Sequence, residues 1–182
     1  MRREREILSE SRRRAASDRE RASHLNTNQP ALHIVLVRPE IPQNTGSIAR
    51  LAAATKTRLH LVGPLGFSLA DRYLKRAGLD YWPLVDLRTY PEWEKFGAAN
   101  QKIAAKFFSA RAEPSYLAAA YARGDYLVFG SETKGLGREF IAERTDCTFR
   151  IPMFETRVRS LNLANAVSIV VYEALRQTRV LD

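Results

Sequence analysis

The sequence contains one cysteine, Cys147, and only three histidines, His24, His33 and His60, in 182 residues. A single thiol excludes an intramolecular disulfide. Its spacing from the scattered imidazoles offers no metal-ligand set, so no metal is expected and a reducing, cytoplasmic setting is. No run approaches the roughly 18 consecutive apolar residues of a spanning helix, and the first thirty residues lack the apolar core of a signal peptide. No membrane partner is expected. Common enzyme motifs are missing as well. In Gly130-Ser-Glu-Thr-Lys-Gly135-Leu-Gly137 the lysine precedes the glycine, so the Gly-Lys-Ser/Thr ending of a phosphate loop is absent. Phe140 stands where the third glycine of a dinucleotide fingerprint starting at Gly135 belongs, and no Gly-x-Ser-x-Gly elbow occurs, which leaves covalent hydrolase chemistry without support.

What is present is an ordinary globular composition with an excess of positive charge. Apolar residues make up 45% and charged residues 27%. A chain of this length buries roughly 70% of its extended surface as one domain. Lys and Arg number 29 against 20 acidic residues, for a net +9, which favours a polyanionic partner. Residues 1–30 hold eight arginines and five acidic residues, leaving +3 there and +6 on the rest. With Ile7, Leu8 and Leu25 as its only large aliphatics, this extension is expected to be disordered. It reads either as a solvated arm or as an additional phosphate-contacting arm. Residues 31–182 form the expected folded domain.

From Leu32 onward strand and helix signals alternate. Apolar runs predict strands over 33–37, 58–62, 84–87, 103–108, 126–129 and 148–151. Between them, helical spacing predicts a helix capped by Asn44, a charged helix over 69–77, and helices over 91–99, 115–121, 138–143 and 160–177. His33 and His60 fall in strand patterns, where packing is the expected role. Strands separated by helices imply parallel crossovers, hence an α/β fold with a mostly parallel sheet covered on both faces. In such sheets ligands sit beyond the carboxyl ends of the strands, which directs attention to the loops after Val37, Phe108, Phe129 and Ile151.

Three segments occupy these loops: Arg38-Pro-Glu-Ile-Pro-Gln-Asn44-Thr-Gly-Ser-Ile-Ala-Arg50, Phe129-Gly-Ser-Glu-Thr-Lys-Gly-Leu-Gly137, and Arg150-Ile-Pro-Met153 followed by Arg159-Ser-Leu-Asn-Leu-Ala-Asn165. Taken singly, Gly130 and Gly135 read as turn glycines that permit a tight loop, and Pro152 as a proline that ends a strand and stiffens a turn. In order and spacing the trio resembles the three motifs of the SPOUT superfamily of knotted methyltransferases, across residues 32–178. Pro-Glu-Ile-Pro-Gln-Asn-Thr-Gly, Leu-His-Leu-Val-Gly-Pro-Leu-Gly-Phe and Ala-Gly-Leu-Asp-Tyr-Trp resemble its TrmL (YibK-like) branch, which 2′-O-methylates the wobble ribose of tRNA.

The resemblance implies a C-terminal deep trefoil knot, a homodimer, and S-adenosyl-L-methionine (AdoMet) as cofactor. It implies cofactor contacts from Phe108, Gly130, Ile151 and Ser160, with Glu132, Met153 and Leu161 beside them, and Arg50 as the catalytic residue. A guanidinium is effectively always charged, so the expected work of Arg50 is to hold a phosphate and stabilise a developing alkoxide. The tRNA anticodon stem-loop is the implied partner, with Arg38, Asn44, Arg157, Arg159 and Tyr172 as candidate RNA contacts. The loop arginines read equally as solubility charges, and Tyr172 as a buried ring with its hydroxyl outward. The competing readings are a related enzyme acting on another tRNA position or on rRNA, and a catalytically idle RNA-binding module.

Overall fold

A computed structural model describes residues 30–69, 81–155 and 157–180 of the chain. The expected disordered extension, apart from Pro30, and the expected helix over 69–77, apart from Leu69, lie outside the described residues.

Six strands form one sheet in the order β3-β2-β1-β5-β4-β6, and every neighbouring pair is parallel. They are β1 His33–Val37, β2 Arg58–Val62, β3 Leu87–Tyr90, β4 Ala105–Phe108, β5 Tyr126–Phe129 and β6 Thr148–Phe149. The central strands are the ones that read as mostly apolar runs. All five residues of β1 are buried, as a parallel strand covered on both faces requires. Successive side chains point to opposite faces, so Leu32, Ile34, Leu36, Leu127 and Phe129 enter one core cluster while Val35, Val37, Val128 and Phe107 enter another.

Helices cover both faces. Helices α1 Pro42–Thr55 and α4 Leu163–Gln177 supply Ile48, Ala49, Ala52, Val167, Val170, Val171 and Leu175 to the first cluster. Helices α2 Trp93–Ala99 and α3 Arg138–Ala142 supply Trp93, Phe96 and Phe140 to the second. On α4 the buried positions recur at three- and four-residue steps, so one stripe is apolar; burying each large aliphatic contributes about 1.5–3 kcal/mol.

Three expectations are corrected. The strand expected over 84–87 lies later, at Leu87–Tyr90, because Trp82–Leu84 form a 3-10 turn opened by Pro83. As an edge strand, β3 keeps two of its four residues in solvent, so its polar Leu-Arg-Thr-Tyr sequence carries no apolar run. The helix expected over 115–121 is a single 3-10 turn, Tyr116–Ala118, with Ser115 as its cap. Asn44 does not cap α1. The N-cap is Ile41 without a side-chain bond, Pro42 takes the first helical position, and Asn44 lies inside the first turn with its amide turned to other partners.

Candidate functional site

The loops that follow β1, β4, β5 and β6 meet over the carboxyl edge of the sheet. Between them lies a cleft of about 780 Å³. Its walls carry all seven residues expected to touch the cofactor: Phe108, Gly130, Glu132, Ile151, Met153, Ser160 and Leu161. Asn44 and Arg159 line it too, whereas Arg38, Arg50, Arg157 and Tyr172 do not.

The second-motif loop closes on itself. The Ser131 N–H donates to the Gly135 carbonyl at 3.3 Å, and the Gly135 N–H to the Ser131 carbonyl at 2.9 Å. Gly135 turns the chain with φ +64°, a conformation that favours glycine. The same closure requires glycine at position 130, since a Cβ there would stand 2.0 Å from the Gly135 carbonyl carbon and 2.2 Å from the Leu136 nitrogen. Behind the loop, Phe108 and Phe129 stack at 4.8 Å and form an apolar floor.

One polar relay ties the three motifs together. The Glu132 carboxylate accepts from the Glu40 N–H at 2.8 Å, the Ile41 N–H at 3.2 Å and the Asn44 amide at 2.9 Å. Two of these donors are backbone N–H groups just ahead of α1 and the third is a side chain of its first turn, so an acid from a remote loop pins the start of the helix. Asn44 is buried, and its amide oxygen accepts from Asn162 Nδ2 at 2.9 Å. Asn162 in turn caps α4, its side-chain oxygen accepting from the N–H groups of Ala164 at 2.9 Å and Asn165 at 3.3 Å. The Thr133 hydroxyl donates to Glu40 at 2.8 Å, a second tie between the first and second motifs. The sequence resemblance places Glu132 beside the cofactor and Asn162 in the third motif. It missed that they join through Asn44, a link spanning 118 residues that no local spacing encodes. It also missed Ser109 and Arg111 on the cleft wall.

The remaining candidates lie apart. Arg38 is exposed at the end of β1, with φ +54°. Arg157 is exposed and forks onto Glu155, with Nε 2.9 Å and Nη2 2.8 Å from its two oxygens. This pairing holds the Glu155 carboxyl down at about 2. Tyr172 stands half-exposed on the outer stripe of α4. Arg50, six residues beyond Asn44 on α1, lies about 9 Å further along the axis and a third of a turn round it. Its guanidinium is 4.8 Å from the ring centroid of Tyr81. Among the described residues no cluster of His, Cys, Asp or Glu could hold a metal ion, and no helix is long and apolar enough to cross a membrane.

The cleft fits an amphiphilic nucleoside derivative. Its size lies within the range of small-molecule sites, its floor is aromatic and aliphatic, and its rim carries backbone groups, hydroxyls and the Asn162 amide. The carboxyl edge of a parallel sheet is where open α/β folds bind their ligands, which makes this cleft the candidate binding site.

The chain belongs to the SpoU rRNA Methylase family, whose profile matches residues 31–172. It is 44% identical over 147 residues to a tRNA (cytidine(34)-2'-O)-methyltransferase of Escherichia coli (strain K12), across 80% of this chain and 93% of that protein. A tRNA (cytidine(34)-2'-O)-methyltransferase of Burkholderia ambifaria is also 44% identical, over 149 residues, across 80% and 94% of the two chains. The fold matches a solved structure reported under "Structural insights into the 2-OH methylation of C/U34 on tRNA" with a TM-score of 0.76 and 52% identity, covering 80% of this chain and 95% of that one. It also matches the SpoU methyltransferase AviRb from Streptomyces viridochromogenes, solved in complex with AdoMet, with a TM-score of 0.69 and 26% identity over 87% of this chain and 61% of the other.

Proposed function

We propose that this protein is a cytoplasmic, AdoMet-dependent tRNA methyltransferase that modifies the ribose 2′-hydroxyl of a pyrimidine at position 34. The observation that carries the reading is the meeting of three distant motifs on one cleft, locked by the Glu132–Asn44–Asn162 relay, in a chain 44–52% identical to relatives named for this modification. AdoMet, when bound, supplies an electrophilic methyl group.

The residues of the chain divide the remaining work. Gly130 and the Ser131–Gly135 turn give backbone access to the ligand, Ile151 and Met153 flank its adenine end, and Phe108 and Leu161 exclude water. Glu132 keeps the loop seated on α1. Bringing the hydroxyl oxygen in line with a methyl donor supplies much of the acceleration, because orientation removes translational and rotational entropy from the barrier. Arg50, permanently charged, holds a substrate phosphate and stabilises the alkoxide as it develops. Arg38, Arg157, Arg159 and Tyr172 contact the anticodon arm, whose unpaired nucleotide requires no duplex opening.

The same reading makes the protein a homodimer with the C-terminal segment threaded as a trefoil knot. Phe154 is fully exposed, and Val158, Leu161, Ile169 and Tyr172 add apolar surface along α4 and the loop before it. Exposed apolar side chains of this kind are compatible with a subunit contact. Arg50 does not line the cleft of its own chain, an arrangement that a second copy supplying the cation would complete. α4 follows β6 at the sheet edge and packs on α1 and the central strand β5.

Calorimetric titration with AdoMet and transfer of labelled methyl groups to tRNA test the reading together. AdoMet binding and Arg50-dependent transfer are expected. Binding without transfer to any RNA would instead identify a cofactor-holding RNA-binding module, and no binding would overturn the enzyme.

A further inference from the structure

Tyr81 stands at an unusual junction. Its ring is 8% exposed and packs in the main core cluster, yet one side of it meets the charged end of Arg50, whose Cζ is 4.8 Å from the ring centroid. Its hydroxyl donates to the Gly46 carbonyl at 2.9 Å. In α-helical register that carbonyl also receives the N–H of Arg50, four residues on. One aromatic side chain therefore grips both ends of the same helical turn, the backbone through its hydroxyl and the guanidinium through its π face.

From this geometry we propose that Tyr81 is a positioning residue for the methyl-transfer step, holding the Arg50 guanidinium in one place over its ring. An arginine side chain has several rotatable bonds to fix, and an exposed one samples many orientations. A ring fixed in the core under the cation removes most of that freedom before substrate arrives, which is the form of preorganisation that electrostatic stabilisation of a developing charge depends on. Such a contact acts on turnover, since the cofactor cleft contains neither residue. The inference rests on the reading of Arg50 as catalytic, and its test separates the two.

Full-length chains carrying Tyr81→Phe, trifluorophenylalanine at position 81, or Tyr81→Leu are compared for kcat on tRNA, KM for AdoMet and thermal midpoint. Fluorination drains the π face with little change in ring shape, so it weakens a cation–π contact and leaves packing in place. The expected result is a kcat that falls from phenylalanine to its trifluoro analogue, and by about three- to thirtyfold in Tyr81→Leu, the rate equivalent of losing a cation–π contact, with KM for AdoMet unchanged. The fall disappears when the series is repeated by single turnover in an Arg50→Ala background. Equal kcat for the phenylalanine and trifluorophenylalanine chains, or the same fall with Arg50 absent, would overturn the role of Tyr81 even if Arg50→Ala is severely impaired. Full turnover by Arg50→Ala would remove Arg50 from the reaction, and the proposal with it.

Discussion

The two ends of this parallel sheet are both rich in polar groups, and they use them in opposite ways. At the amino end and across the middle of β2, His33 Nδ1 and His60 Nε2 share a hydrogen bond at 3.0 Å, His33 stacks on Tyr126 at 4.0 Å, and the Tyr126 hydroxyl donates to Asn100. Every group faces another inside the protein. At the carboxyl end the polar groups stand around a cleft, and the Glu132 relay that links them serves to hold that cleft open. Burial depresses the imidazole pKa values of His33 and His60 to about 4 and about 3, with Arg58 opposing their protonation further. A strongly perturbed pKa is often a sign of a functional site. Here it marks the closed end, and closure itself is the cause, so openness of geometry and not titration identifies where chemistry happens.

Substitutions at the open end should have the largest effects. Gly130→Ala forces a Cβ to within 2.0 Å of the Gly135 backbone, so the loop must unfold from its present course. We expect loss of measurable AdoMet binding by calorimetry, together with a stability loss of more than about 2 kcal/mol. Normal binding would mean that the loop is not the cofactor cradle. Next in size is Glu132→Ala, which leaves the Glu40 and Ile41 N–H groups and the Asn44 amide without their acceptor. Each unsatisfied donor costs about 1–3 kcal/mol where water cannot reach it, so the thermal midpoint and AdoMet affinity should fall together. If only affinity fell, Glu132 would be a cofactor contact and not a tie between motifs.

At the closed end the signature is pH. Unfolded imidazoles take up protons near pH 6.5, whereas the folded pair stays neutral down to about pH 4 and 3. Unfolding therefore binds protons across that window, and stability declines as pH falls from 6.5, by about 1.4 kcal/mol per pH unit for each proton taken up. Urea midpoints at pH 7.5, 6 and 5 should decrease steadily while AdoMet affinity per folded molecule does not. A flat profile would show that the pair is not buried as a neutral unit. The smallest structural effect belongs to Arg157→Ala, an exposed side chain whose partner Glu155 is exposed as well. Its thermal midpoint should match the parent, and its tRNA affinity should lose part of its salt dependence. An unchanged salt slope would remove Arg157 from the RNA surface.

The same contrast explains what could be read in the sequence. β1, β2 and β5 were legible to the residue because a strand covered on both faces is mostly apolar, and His33 and His60 were rightly assigned to packing. β3 was misplaced because an edge strand is under no such demand, so Leu84 and Val85 outweighed the true Leu-Arg-Thr-Tyr segment. At the site, glycine and proline positions stood out because backbone geometry restricts which residues fit there. The relay was hidden. An asparagine near a helix start ordinarily caps that helix, and only the fold shows that Asn44 reaches Glu132 and Asn162 instead. The contact of Arg50 with Tyr81 likewise joins α1 to a segment thirty-one residues away through three-dimensional packing.

The most direct test of the central claim is mass spectrometry of nucleosides from defined tRNA transcripts incubated with the purified chain and AdoMet. The account predicts one 2′-O-methylated pyrimidine, located at position 34 and absent when Arg50→Ala replaces the parent. A methyl group on a base, a methylated ribose at another position, or no methylation of any transcript carrying a pyrimidine at 34 would contradict it.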